Sequence, residues 1–128
     1  MSLEPTQERA VKTEGVFLKC EACAEVLYRK DVEDNLMVCP KCGFHFKINA
    51  RRRLELLFDE GRYIERDANL ASTDPLNFFD TKSYKDRLAA MQKAAGTLEA
   101  IITGEGTIGG YPAIISAMEY RFIGGSMG

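Results

Sequence analysis

The spacing of hydrophobic positions changes along the chain, and each change marks a different kind of structure. Residues 1–15 are polar and aperiodic and read as a flexible tail. From 16 to 48 the apolar residues come in short β-prone pieces: Val16-Phe17-Leu18, Val26-Leu27-Tyr28, Met37-Val38 and Phe44-His45-Phe46-Lys47-Ile48. They are too few for an independent core, and a module of this size needs a metal or disulfide staple.

A helical period follows. Asn49 has the chemistry of an N-cap, and Ala50, Leu54, Leu57 and Phe58 share one face of a helix running to Glu60. Gly61 stands where a left-handed residue closes such a helix. Arg62 to Asp80 reads as a linker, with Ser72-Thr73-Asp74-Pro75 as its turn. A second helix is predicted over Thr81–Ala95, with Tyr84, Leu88, Met91 and Ala95 on one face and Gly96 ending it. Residues 49–98 thus form a helical linker region.

From Glu99 the period becomes that of strands. Ala100–Ile108 and Tyr111–Phe122 flank Gly109-Gly110, a dipeptide that accepts the positive φ values of a two-residue hairpin turn. Ala113 to Met118 is nearly continuous in apolar or small residues, which predicts a strand covered on both faces. Such a strand needs further layers, so residues 99–128 read as the first strands of a larger domain. The fold class is α+β.

Composition narrows the picture further. Of 128 residues 45% are hydrophobic and 28% charged, as expected of a soluble folded chain. A net charge of −2 gives no general attraction to phosphate backbones. No apolar run is long enough for a membrane span, and the amino-terminal residues lack the apolar core of a secretory signal, so a cytoplasmic location is expected.

In that reducing setting the four cysteines carry the strongest signal. Cys20, Cys23, Cys39 and Cys42 follow Cys-x₂-Cys-x₁₅-Cys-x₂-Cys, the spacing of a four-cysteine zinc ribbon. In each pair one tight turn presents two sulfurs to a tetrahedral ion. Pro40 and Gly43 make the second turn a strong knuckle, whereas Cys20-Glu21-Ala22-Cys23-Ala24 lacks both and should hold the same geometry with more strain. Four thiolates around Zn²⁺ leave a local charge of −2, which Lys19, Lys41 and Lys47 offset. They also leave no position for water or substrate, so one structural zinc is expected. Two disulfides and an iron–sulfur centre are the competing uses of the same cysteines; the compartment argues against the first and the knuckle against the second. His45 reads as a strand side chain, not a ligand.

Three further motifs carry candidate chemistry. Arg51-Arg52-Arg53, with Lys41 and Lys47, is either a solvated helical turn or a contact for nucleic acid, RNA included; three cations at a helix start oppose its dipole and hint at an anionic partner. Gly104 to Gly109 matches G-x-G-x-x-G, but Pro112 and a strand follow where a dinucleotide site needs a helix. Gly124-Gly125-Ser126-Met127-Gly128 is either a turn or a loop whose backbone N–H groups can approach an oxygen.

Four segments together, Cys-Pro-Lys-Cys-Gly-Phe-His-Phe at 39–46, Leu-Leu-Phe-Asp-Glu-Gly at 56–61, Asp-Pro-Leu-Asn-Phe at 74–78 and Phe-Ile-Gly-Gly-Ser-Met-Gly at 122–128, resemble the β subunit of bacterial acetyl-CoA carboxylase carboxyltransferase. The resemblance runs from Phe17 onward and departs from the family's usual knuckle at Ala22 and Ala24. It implies a zinc ribbon ahead of a crotonase-like domain of stacked ββα units. It also implies an enzyme component that moves a carboxyl group from carboxybiotin to acetyl-CoA, giving malonyl-CoA for fatty acid synthesis; related enzymes take propionyl-CoA. The partners so implied are the carboxyltransferase α subunit in an α2β2 assembly, the biotin carboxyl carrier protein and biotin carboxylase. Gly124 to Gly128 matches a loop near the acyl-CoA. The family's oxyanion loop comes later than Gly128, so no catalytic residue is expected within the chain, and the fragment alone should be inactive. A nucleic-acid-binding zinc ribbon is the alternative from another class.

Overall fold

Phe17–Lys19 (β1) and Val26–Tyr28 (β2) pair antiparallel, with Leu18 opposite Leu27 on the inner face and the Phe17 and Tyr28 rings tilted against each other on the outer one. The computed structural model describes residues 15–125, so most of the expected tail lies outside the described residues. The chain divides into two compact units at Lys47/Ile48.

In the first unit β2 runs directly into a short helix, α1 (Arg29–Asp34), which buries Val32 completely. α1 carries no hydrophobic period in the sequence, because Val32 is its single apolar residue. Leu36 and Met37 then turn the chain with φ of 58° and 60°. The strands expected at Met37-Val38 and 44–48 reduce to one antiparallel bridge between Val38 and His45. The core is Cys20, Leu27, Val32 and Cys39, with Leu18, Cys23, Met37, Phe44 and Phe46 against it. Two of these four buried residues are cysteines, so the core is organised around sulfur.

The second unit opens with α2 (Ala50–Leu57). Asn49 Oδ1 accepts the Arg52 N–H at 2.8 Å, satisfying one of the donors a helix start leaves unpaired. Ala50, Leu54 and Phe58 are buried, whereas Leu57, expected on the same face, is exposed. The helix ends three residues before Glu60, and a turn of 3₁₀ helix (Asp59–Gly61) follows, with Gly61 left-handed as expected.

The segment from Arg62 to Asp80, expected as a linker, carries a strand: β3 (Tyr63–Arg66) pairs antiparallel with β4 (Ile101–Ile108). Its residues show no apolar alternation, because Ile64 points outward and Glu65 inward to an arginine. After β3 comes α3 (Tyr84–Ala95). It begins later than Thr81 because Ser83 Oγ accepts the Asp86 N–H and so sets the cap at Ser83. Gly96, at φ 71°, closes it as predicted. Leu88 and Ala95 pack with Ala100 and Phe122.

β4 turns through Gly109 and Gly110, at φ 57° and 81°, into β5 (Tyr111–Met118), giving a three-stranded sheet in the order β3-β4-β5. One face of this sheet packs on α2: Ile102 with Ala50, Leu54 and Phe58, joined by Tyr63, Ala113, Ile115 and Ala117. The expectation that β5 is covered on both faces is not met among the described residues. It is an edge strand whose alternate residues Ile114 and Met118 are exposed, since α2 covers only the face that carries Ala113, Ile115 and Ala117. No described helix is long and apolar enough to cross a membrane.

Candidate metal centre

The two cysteine turns are built alike. In the first, the Cys20 N–H donates to Glu25 O at 2.9 Å and the Ala24 N–H to Cys20 O at 3.0 Å. In the second, the Cys39 N–H donates to Phe44 O at 2.7 Å and the Gly43 N–H to Cys39 O at 2.9 Å. Each loop therefore closes on the residue five places after its first cysteine, and each puts its fifth residue in the left-handed region: Ala24 at φ 60° and Gly43 at φ 77°. Alanine in that conformation carries the strain expected of the first knuckle, for want of a glycine.

β1 ends at Lys19, which delivers Cys20 from one side, and the Val38–His45 bridge fixes the second knuckle from the other. The sulfurs meet between them. All four lie within 4.8 Å of one another, with Cys20 and Cys42 Sγ 3.6 Å apart and Cys23 and Cys39 Sγ 3.9 Å apart. A tetrahedral ion with bonds of about 2.3 Å requires sulfurs about 3.8 Å apart, so both cross-knuckle distances fit zinc. They are far beyond the roughly 2.05 Å of a disulfide bond, and all four cysteines are free thiols.

Backbone donors support the sulfurs. The Cys42 thiol is pushed up to about 12: the Phe44 N–H lowers it, but lost solvation and the sulfurs of Cys20, Cys39 and Cys23 outweigh that donor. At Cys39 desolvation raises the thiol, yet the Cys42 and Lys41 N–H groups and the Cys42 and Cys20 sulfurs bring it down to about 7. Four thiols this close cannot all ionise without a compensating cation, and a divalent ion supplies it. The four cysteines are thus clustered for one zinc ion, and with every ligand position filled by protein its role is structural. His45 is exposed and outside the sulfur cluster, and in place of the strand expected around it there is only its single bridge to Val38.

The other candidate residues are not drawn into one site. Lys41 and Lys47 are exposed on the ribbon. In the second unit Arg51 forms a two-pronged pair with Glu65 at 2.5 and 3.4 Å, which raises the guanidinium's pKa, and Arg52 pairs with Glu55 at 3.2 Å. Arg53 is exposed. Much of the charge of that run is therefore met within the fold, which answers the unfavourable placement of three cations at a helix start. Gly124 and Gly125, at φ 66° and 85°, follow Ile123 at φ 46°; the Gly125 N–H donates to Phe122 O at 2.9 Å. Ser126, Met127 and Gly128 lie outside the described residues.

Gly104 and Gly106 take no part in a dinucleotide motif. They sit inside β4 beneath the stacked rings of Phe58 and Tyr63, where a Cβ would come within 2.9 Å of Tyr63 Cδ2 and 2.8 Å of Phe58 Cδ1. Two carboxylates were not singled out from the sequence. Asp59 accepts the N–H groups of Gly109 and Gly110 at 2.8 and 2.9 Å, clamping the hairpin turn, and those donors hold its carboxyl below the usual range. Glu119, only 1% exposed, accepts the Ala50 N–H at 3.2 Å and pairs with Arg121. A charged residue closing an otherwise apolar strand is the one sequence signal that pointed to it.

Set beside known families, residues 17–42 match the model described as the acetyl-CoA carboxylase zinc finger domain, a span holding both cysteine pairs, β1, β2 and α1, and the ribbon is accordingly related to the zinc ribbon of acetyl-CoA carboxylase.

Proposed function

We propose that the protein is a component of acetyl-CoA carboxylase carboxyltransferase, of the β-subunit type, that takes part in moving a carboxyl group from carboxybiotin to acetyl-CoA. The observation that carries the reading is the closed four-sulfur ribbon at residues 20–42 together with its match to the zinc finger domain of that enzyme. The resemblance of 56–61, 74–78 and 122–128 to the same subunit supports it from outside the matched span.

On this reading the ribbon is a rigid docking or covering element and the second unit begins a crotonase-like domain. Gly124 to Gly128 would lie beside the acyl-CoA, where glycine backbone permits close approach of a thioester. An α proton leaves the thioester most readily when backbone N–H donors stabilise the enolate oxygen, and those donors belong to the assembled enzyme. The partners are the α subunit, the biotin carboxyl carrier protein and biotin carboxylase, in the cytoplasm, with acetyl-CoA as acceptor. Propionyl-CoA is the competing acceptor.

The test is carboxyl transfer by the protein assembled with its α partner. Malonyl-CoA formed from acetyl-CoA only when carboxylated carrier protein is present supports the proposal; no transfer to any acyl-CoA by a confirmed complex refutes it. Comparing acetyl-CoA with propionyl-CoA in that assay decides the acceptor. The nucleic-acid reading rests on Lys41, Lys47 and Arg51–Arg53. It loses ground to the ion pairs at Arg51 and Arg52, and a binding titration against salt, which should show no steep slope, tests it.

A further inference from the structure

The four sulfurs are not equivalent toward solvent. Cys20 and Cys39 are 1% and 2% exposed, Cys23 is half-buried and Cys42 is exposed. A zinc-bound cysteine is a thiolate and keeps its nucleophilicity, so access decides which one an oxidant meets first. We infer that Cys42 is a site of reversible oxidation by peroxides, through which the ribbon releases its zinc as Cys42 and Cys20 join in a disulfide. The inference stands apart from carboxyl transfer and holds whether or not that reading survives.

The partner is set by geometry. Cys20 Sγ lies 3.6 Å from Cys42 Sγ, and the pair links one knuckle to the other, so closing it requires side-chain rotation without taking either loop apart. The Cys42 thiolate attacks the peroxide O–O bond; the sulfur gains OH as a sulfenic acid and an alkoxide or hydroxide leaves. The Cys20 thiolate then attacks the Cys42 sulfur and expels hydroxide. Two electrons have passed from the sulfurs to the peroxide oxygens, and two protons from the buffer convert the leaving groups to water or alcohol. With Cys20 and Cys42 joined, only the Cys23 and Cys39 thiolates would remain as ligands, too few to keep the ion bound. A dithiol reductant returns both thiols and restores the site.

The experiment uses the full chain loaded with zinc and one equivalent of hydrogen peroxide, with a zinc-binding chromophore in solution. Free thiols are blocked, and the protein is digested without reductant and mapped by mass spectrometry, with a sulfenic-acid trap in a parallel sample. Expected are trapped sulfenic acid at Cys42, a Cys20–Cys42 disulfide, and zinc release in step with it that dithiothreitol and added zinc reverse. Cys42→His keeps four ligands and should slow release by about tenfold, since the accessible thiolate is gone. First oxidation at Cys20, Cys23 or Cys39, a disulfide from Cys42 to Cys39, or no oxidation at one equivalent overturns the inference. Should the histidine variant hold no zinc, the map of the unsubstituted protein decides alone.

Discussion

Ala24 and Gly43 occupy the same position of two loops with the same hydrogen bonds, one as alanine and one as glycine, and their exchange isolates the cost of a single backbone conformation. An L-residue in the left-handed region costs about 1–2 kcal/mol. Glycine gives back about 0.4–1 kcal/mol of that, because the unfolded chain is freer. Ala24→Gly should therefore stabilise the ribbon by about 0.5–1 kcal/mol, and Gly43→Ala should destabilise it by a similar amount. Packing contributes little to either change: Ala24 is exposed, and a Cβ built on Gly43 meets nothing within 4 Å.

Zinc binding and ribbon folding are coupled, so these energies appear as metal affinity. In competition with a chromophoric chelator, Ala24→Gly should hold zinc about two- to fivefold more tightly and Gly43→Ala about two- to fivefold less. The double variant, with the residues exchanged between knuckles, should return close to the starting affinity, since the loops are hydrogen-bonded alike. Equal losses in both single variants would show that the two turns are not equivalent and would refute the reasoning from φ.

Three other outcomes are expected in the second unit. Glu119→Ala should destabilise it by about 2–3 kcal/mol in a denaturant titration, because the buried Ala50 N–H loses its acceptor while the half-exposed Arg121 regains water; Glu119→Gln, which keeps an acceptor, should cost less than half of that. Asp59 and Glu119 both have carboxyl pKa values held below the usual range, the first by the Gly110 and Gly109 N–H groups, the second by Arg121 and the Ala50 N–H overcoming burial. Their stabilisation is thus complete above the unfolded pKa values near 4 and is lost as pH falls through the lower folded values; amide exchange in the β4–β5 hairpin should show a steep acid limb that Asp59→Asn flattens. Gly106→Ala should cost about 1–3 kcal/mol, and more than Gly104→Ala, because its Cβ also meets the backbone oxygen of Arg62 at 2.9 Å while the close contacts at Gly104 are side-chain atoms of Tyr63 and Phe58; melting temperatures that rank the other way contradict this.

What could be read from the sequence was local chemistry. Paired cysteines, Asn49 as a cap, Gly96 as a helix stop and Gly109-Gly110 as a turn each act within a few residues, and the fold uses each as read; Gly61 is left-handed as expected but closes a 3₁₀ turn, α2 having ended at Leu57. What escaped was set at a distance. β3 exists because β4, nearly forty positions later, supplies its hydrogen bonds, and Tyr63-Ile64-Glu65-Arg66 has no pattern of its own. The cap that Glu119 provides to α2 joins residues 69 apart. The glycines of β4 look like a phosphate loop in the sequence and are spacers for two aromatic rings in the fold, a distinction that depends on Phe58 and Tyr63 arriving from another element. α1 failed for the opposite reason, having too little apolar content to announce itself.

The metal site follows the same division. Spacing fixes which residues bind zinc, because two residues between cysteines permit one turn and one ion. Spacing says nothing of how the four ligands differ, since both pairs are written alike in the sequence. Their difference comes from what packs around them: Cys20 and Cys39, the first cysteine of each knuckle, enter the core with Leu27 and Val32, while the second of each pair lies nearer the surface. A zinc held this way has one side in the ribbon's core and one toward solvent. The buried pair makes the ion part of the packing, so its loss removes the centre of the unit and not merely a surface clip. The outer pair leaves the same ion open to chemistry from outside, and Cys42 is where that chemistry would begin.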